Sequence, residues 1–142
     1  MNLLGIDIGG SGVKGALVDT ETGNLVTDRL RISTPQPANP KAVISVIKQI
    51  VQHFEYQGPL GLGYPGVVMH GVTKTAANID AGWINFTASR QIALATNCEV
   101  TIRNDADVAG IAEMYHGAGK GVTGVVMIFT LGTGIGSVMF VD

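Results

Sequence analysis

Two apolar runs, each ending on a glycine turn and then resuming as extended chain, constrain this sequence more than any other feature. The first is Leu3 to Ile8, followed by Gly9-Gly10-Ser11-Gly12 and then Val13 to Val18. The second is Val125 to Leu131, followed by Gly132-Thr133-Gly134-Ile135-Gly136 and then Ser137 to Val141. A short apolar run bounded by turn residues reads as a buried strand. Glycine at the tip removes side-chain bulk where the backbone bends tightly or approaches a ligand. Glycine supplies 20 of the 142 residues, about twice the usual share. The glycines cluster at run ends without a period, which excludes collagen-like and low-complexity chains.

Between the two turns the pattern alternates between strand and helix. Leu25 to Ile32 alternates apolar and polar residues, so a third strand is expected after the turn Thr20–Gly23. Pro35, Pro37 and Pro40 mark a connection, with Asn39 as helix cap and Pro40 as first helical residue. Val43, Val46, Ile47, Ile50, Val51 and Phe54 form a helical stripe, stopped by Gly58-Pro59. Leu60 to Tyr64 is a glycine-rich strand, and Val67 to Thr75 an extended hairpin around His70-Gly71. Asn78 to Phe86 has no period and reads as an irregular loop, with Trp83 as its packed anchor rather than a sugar-stacking platform. Ala88 to Thr96 is a short helix and Val100 to Arg103 a strand. Val108, Ile111, Ala112 and Tyr115 carry a helix ended by Gly117.

This order predicts an α/β domain with a mixed sheet. Gly119 to Gly124 is the best linker, dividing residues 1–118 from a final hairpin at 119–142. A two-stranded hairpin is not independently stable, so the last segment is expected to open a second lobe that is otherwise missing.

Composition excludes several function classes. Apolar residues make up 46% and charged residues 14%, which suits a packed core. The net charge of −2, with scattered cations, gives no case for nucleic acid or anionic membrane. Cys98 is the sole cysteine, so no internal disulfide or zinc site is available, and a buried small hydrophobe in a reducing cytoplasm is expected. The first residues lack a signal peptide's basic start and long apolar run, and no run reaches a membrane span.

Gly10 to Gly15 matches the dinucleotide fingerprint by letter, but that fingerprint needs a helix directly after the glycines, and strand and turn follow here. A hairpin tip that offers backbone N–H groups still cradles phosphate. Lys14 adds a point charge and Asp7 suits magnesium through water. Gly117 to Gly121 lacks the residues a P-loop needs on either side of its lysine. The second turn repeats the logic of the first, and the pair would grip one phosphate chain from two sides. Asn104-Asp105 lies where a strand meets a helix. Asp105 is either a helix cap or a carboxylate placed to take a proton from a substrate hydroxyl. Asp107 reads as a first-turn residue favoured by the helix dipole. His53, His70 and His116 show no ligand spacing and are expected at the surface.

Asp7 to Gly15, Gly63-Tyr-Pro-Gly66, Asn104-Asp105 and Leu131 to Gly136 occur in the order of the ROK family (repressors, open reading frames, kinases), which the chain resembles. Thr34-Pro-Gln-Pro37, Thr75 to Asp80, Trp83-Ile84, Asn104 to Asp107 with Gly110 and Ala112 to Met114, and Leu131 to Asp142 resemble its polyphosphate-using, glucose-phosphorylating branch. The resemblance implies an actin-like ATPase (ribonuclease H-like) domain of the hexokinase type. It also implies transfer of phosphate from inorganic polyphosphate or ATP, with Mg2+, to glucose. Asp105 would be the general base; Asn78, Asn104 and Gly66 would contact the sugar. Asp7 would place the metal. Gly9, Gly10, Ser11, Gly12 and Lys14 would hold the donor from one side, and Gly132, Thr133, Gly134 and Gly136 from the other. A homodimer is what the family suggests.

The family's further sugar ligands, a Glu-x-Gly-His segment and another glutamate, have no counterpart in these residues, and neither does an adenosine pocket. Little kinase activity is therefore expected of the chain alone. Two other classes compete: a sugar-responsive repressor, which needs a helix-turn-helix ahead of the first strand, and a non-catalytic sugar- or phosphate-binding module.

Overall fold

The computed structural model describes residues 1–131 and 135–142. Five strands form one sheet: β1 (Asn2–Ile8), β2 (Gly12–Asp19), β3 (Leu30–Ser33), β4 (Leu60–Tyr64) and, numbered in chain order after two short strands, β7 (Val100–Asn104). Their spatial order is β3-β2-β1-β4-β7. The three leading strands are antiparallel neighbours, whereas β1, β4 and β7 run parallel. The sheet is therefore mixed, as the order of elements predicted.

Strand alternation separates the two faces. Leu4, Ile6, Ile8, Val13, Leu60, Leu62 and Ile102 point to one side and are buried there. Helix α1 (Pro40–His53) covers that side with Val43, Val46, Ile47, Ile50 and Val51, the stripe read from the sequence. Each such side chain contributes on the order of 1.5–3 kcal/mol when taken out of water. Asn39 caps α1 by accepting a hydrogen bond from Ala42 N at 2.9 Å, with Pro40 in the first turn. Helix α2 (Ala88–Thr96) packs beside α1 and buries Ile92. Gly15 lets α1 approach, because a Cβ there would lie 2.5 Å from Ile50 Cγ2.

The expected strand over Leu25–Ile32 is shorter than the pattern suggested. Leu25 makes one isolated bridge to Val18, and the strand proper begins only at Leu30. The cause is local: Leu17 N donates to the Thr27 hydroxyl at 3.1 Å, where a regular ladder would offer a carbonyl. Side-chain competition of this kind interrupts a sheet ladder. The expected hairpin around His70-Gly71 is present as β5 (Val68–Met69) and β6 (Val72–Thr73). Both turn residues take positive φ, 50° and 76°, as a two-residue hairpin requires.

The loop containing Trp83 includes one 3-10 turn, Ala81–Trp83. Trp83 is fully buried and donates from Nε1 to Ala38 O at 2.9 Å, so it is an anchor and offers no face to a sugar. Cys98 is buried, as expected.

The second face of the sheet carries glycines at its centre, Gly5, Gly61 and Gly63. Helix α3 (Asp105–His116) lies on it. The hairpin of β8 (Val125–Leu131) and β9 (Ile135–Val141) packs on α3 through Val138 and Phe140 at Gly110. Its other side, with Met127, Phe129, Leu131, Ile135 and Met139, is exposed.

Candidate active site

The parallel strands β1, β4 and β7 all end at one edge of the domain, and the candidate residues gather there. Ligands of open α/β sheets bind outside the carboxyl ends of such strands. The register aligns Asp7 of β1 with Gly63 of β4, and Gly63 with Arg103 of β7. Gly63 has no side chain, and it is bordered by the carboxylate of Asp7 on one side and the start of the Asp105 side chain on the other. A Cβ on Gly63 would sit 3.6 Å from Asp7 Oδ1 and 3.8 Å from Asp105 Cβ. Asp7 and Asp105 thus both border Gly63, although 98 positions separate them in sequence.

The first glycine turn closes β1 onto β2 with Gly9 N donating to Gly12 O at 3.1 Å. A Cβ on Gly9 would collide with that same oxygen at 2.8 Å, so glycine is needed here for close approach. β3 braces the tip from outside. Thr34 donates from its hydroxyl to Gly9 O at 2.5 Å, and Arg31 Nη2 donates to Ser11 O at 2.8 Å. Lys14 lies opposite Asp7 in register, with Nζ 3.5 Å from Oδ2. Both side chains are about half exposed, and such a pair is worth at most about 1 kcal/mol. Lys14 is therefore held loosely and remains available to an incoming anion.

Asn104, not Asp105, is the cap of α3. Its Oδ1 accepts from Ala106 N at 2.9 Å and Asp107 N at 3.2 Å. Its Nδ2 donates to Gly66 O at 3.1 Å, tying the turn after β4 to the start of α3. The capping alternative for Asp105 is thereby taken by its neighbour. Asp105 is left exposed in the first helical turn, with Oδ1 accepting from Ala106 N at 2.8 Å. Among the described residues Oδ2 has no partner. Asp107 shares that turn, where the helix dipole favours a carboxylate.

Gly10 borders the loop that carries Asn78: a Cβ on Gly10 would lie 3.5 Å from Asn78 O. Asn78 itself is exposed. The loop is fixed from below by Tyr64, whose hydroxyl donates to Thr75 O at 2.9 Å. Burial pushes the Tyr64 phenol up to about 12, so it stays protonated and keeps donating. Gly136 of the second turn lies against Ala106, next to Asp105. Gly132, Thr133 and Gly134 lie outside the described residues.

The structure therefore brings together Asp7, the first glycine turn, Lys14, Gly66, Asn78, Asn104, Asp105 and Gly136. A cavity of about 800 Å3 lined by Gln52, Tyr56, Thr96 and Cys98 contains none of them. Among the described residues no three His, Cys, Asp or Glu side chains converge as a metal cluster. Gly63 as the residue that both Asp7 and Asp105 border, and Arg31 as the brace of the turn, are not marked in the sequence. The alternation of Leu30 and Ile32 with Arg31 carried the latter signal.

Residues 3–142 match the ROK family. The chain is 54% identical over 134 residues to a polyphosphate glucokinase of Mycobacterium tuberculosis, covering 94% of this chain and 51% of that protein. The structure superimposes on an inorganic polyphosphate/ATP-glucomannokinase from Arthrobacter sp. strain KM with a TM-score of 0.95 and 42% identity, covering 99% of this chain and 58% of that one. A ROK family glucokinase from Streptomyces griseus, solved with glucose and AMPPNP, gives a TM-score of 0.86 at 27% identity, covering 99% and 45%. The chain spans about half the length of the curated relatives it matches. The mixed sheet with helices on both faces is the actin-like ATPase fold of these sugar kinases, and the chain belongs to the ROK family.

Proposed function

We propose that this chain supplies the phosphate turn and the catalytic base of a kinase that phosphorylates glucose on its 6-hydroxyl, using inorganic polyphosphate or ATP. The observation that carries the reading is that Asp7 and Asp105 both border Gly63 at the ends of three parallel strands. The names of its relatives agree with it.

Asp105 takes the proton of the 6-hydroxyl through its open Oδ2. The hydroxyl oxygen then bonds to the donor's terminal phosphorus as the bond to the bridging oxygen breaks. A polyphosphate shortened by one unit, or ADP, departs. Asn78 and the remaining N–H of Asn104 hold sugar hydroxyls, and Gly66 backs the ring. Gly9, Gly10, Ser11, Gly12 and Lys14 hold the donor from one side, with Gly132, Thr133, Gly134 and Gly136 opposite. Phosphoryl transfer of this kind depends mainly on positioning and charge neutralisation.

Asp7 presents an exposed carboxylate at the end of β1, which fits an ion that keeps most of its waters. It would hold magnesium through water, and the ion would neutralise charge on the donor. In this reading residues 1–118 are the small lobe, residues 119–142 begin a second lobe, and the enzyme works in the cytoplasm.

The test joins this chain to the remaining half of the M. tuberculosis relative. The product should form glucose 6-phosphate, and Asp105→Asn should lower turnover by about 10²–10⁴ while glucose still binds in calorimetry. An unchanged rate would remove Asp105 as the base. Glucose binding without any turnover in the parent would favour a non-catalytic binding module.

A further inference from the structure

We propose that Thr34 is a positioning residue of the phosphate turn: its hydroxyl occupies the carbonyl that would otherwise take the Gly12 N–H, and so leaves that N–H free for a phosphate oxygen. This rests on the phosphate-site reading given above. Among the described residues only Thr34 and Thr73 are polar and buried. Thr73 ties down the Trp83 loop, its hydroxyl donating to Trp83 O at 2.5 Å. Thr34 is the equivalent fixture of the first glycine turn. Its hydroxyl donates to Gly9 O at 2.5 Å, and its N–H donates to Ser11 O at 3.4 Å.

The backbone of the turn shows why the hydroxyl matters. A two-residue hairpin is ordinarily closed by a pair of bonds between its flanking residues, each N–H donating to the other's carbonyl. Here the flanking residues are Gly9 and Gly12, and only one of the two bonds forms. Gly9 N donates to Gly12 O at 3.1 Å, and no bond runs from Gly12 N to Gly9 O. Gly9 O is taken by Thr34 instead. Gly12 is buried, and a buried N–H without an acceptor is rare in proteins. Gly10 N and Ser11 N have no backbone acceptor among the described residues either. Consecutive open N–H groups of this kind are what an anion-binding nest is made of.

Local chemistry holds Thr34 in this role. Pro35 follows it, and a residue before proline is confined to extended backbone. Its branched Cβ restricts the side chain to few rotamers. The chain therefore leaves β3 extended, with the hydroxyl directed at Gly9 O. Removing the hydroxyl would strand that carbonyl without a donor. A carbonyl stranded in this way recovers a bond by drawing in the Gly12 N–H, which is the closure of an ordinary hairpin. The turn would survive as a hairpin and lose one of its phosphate donors. The consequence is weaker binding without a loss of fold.

Calorimetry on the 142-residue chain tests this with inorganic tripolyphosphate and magnesium, beside NMR of the Gly12 amide. Thr34→Val keeps the shape of the side chain and should weaken tripolyphosphate about tenfold, the worth of one hydrogen bond to a charged group. Its Gly12 amide should become protected from solvent exchange and cease to shift when tripolyphosphate is added. Thr34→Ala should do the same. Thr34→Ser keeps the hydroxyl and should bind within about threefold of the parent. Undiminished binding by Thr34→Val, or no recovery in Thr34→Ser, would overturn the inference. So would weaker binding with the Gly12 amide as open as in the parent, because Thr34 would then only support the turn. Lys14→Ala is the reference for the site itself. If it weakens tripolyphosphate while the Thr34 variants do not, only the Thr34 inference falls. If the parent does not bind the probe, or Lys14→Ala leaves binding unchanged, the phosphate-site reading fails and the role of Thr34 with it. Circular-dichroism melting of each variant confirms that the fold is kept.

Discussion

The two glycine-tipped hairpins are written alike and built differently. In the first, β1 and β2 lie inside a five-stranded sheet, and Ile6, Ile8 and Val13 are sealed by α1. In the second, β8 and β9 pair only with each other, and one whole side faces outward, Phe129 being 59% exposed and Leu131 82%. The difference shows that a strand–glycine–strand pattern specifies a turn but not its environment. What fixes the first tip is the neighbouring strand β3, through Arg31 and Thr34. The described part of the second has α3 on one side only.

The largest contrast should come from filling the interior of the first hairpin. Gly15→Ala places a methyl group against fully buried Ile50, whose branched side chain has little room to yield. Overpacking of this kind costs about 1–3 kcal/mol, readable as a lower denaturant midpoint. A smaller loss would show that α1 slides over the sheet more easily than its packing suggests.

A second contrast lies in pH. The sheet that holds the first hairpin contains a buried ionisable core group, Tyr64, whose folded value is raised to about 12. The unfolded chain gives up that proton near 10. Stability from Tyr64 is therefore complete below pH 10 and is lost as pH rises from 10 towards 12. Urea titrations across that window should show the decline in the parent and a flatter course in Tyr64→Phe. Equal slopes would remove Tyr64 as its source.

The smallest effect is expected on the open side of the second hairpin. Phe129→Ser should change the stability of the chain by no more than about 0.5 kcal/mol. In a protein joined to the relatives' remaining half, the same change should cost several times more, provided that half covers this face. Equal effects in both backgrounds would show that the face stays open.

These contrasts also mark where the sequence was legible. Helix α1 was, because six apolar residues at helical spacing and the Asn39-Pro40 start agree with each other. The break before β3 was not, because it depends on a single threonine hydroxyl outcompeting a carbonyl. The glycine turn was visible as a turn, and its place on a hairpin followed from the absence of a helix after it. That Asp7 and Asp105 both border Gly63 was not visible, because it depends on the register of β1, β4 and β7. The roles of Asn104 and Asp105 were divided only by the side-chain geometry, since either letter is a good cap.

The triple attachment of Asn104 has a mechanical consequence. One amide rivets the turn at Gly66 to the N–H groups of Ala106 and Asp107 in the first turn of α3. The turn at Gly66 and the helix that carries Asp105 are therefore coupled through one side chain. If Gly66 backs the sugar as proposed, a sugar pressing on it would move Asp105 as well, and binding the acceptor would align the carboxylate in the same movement.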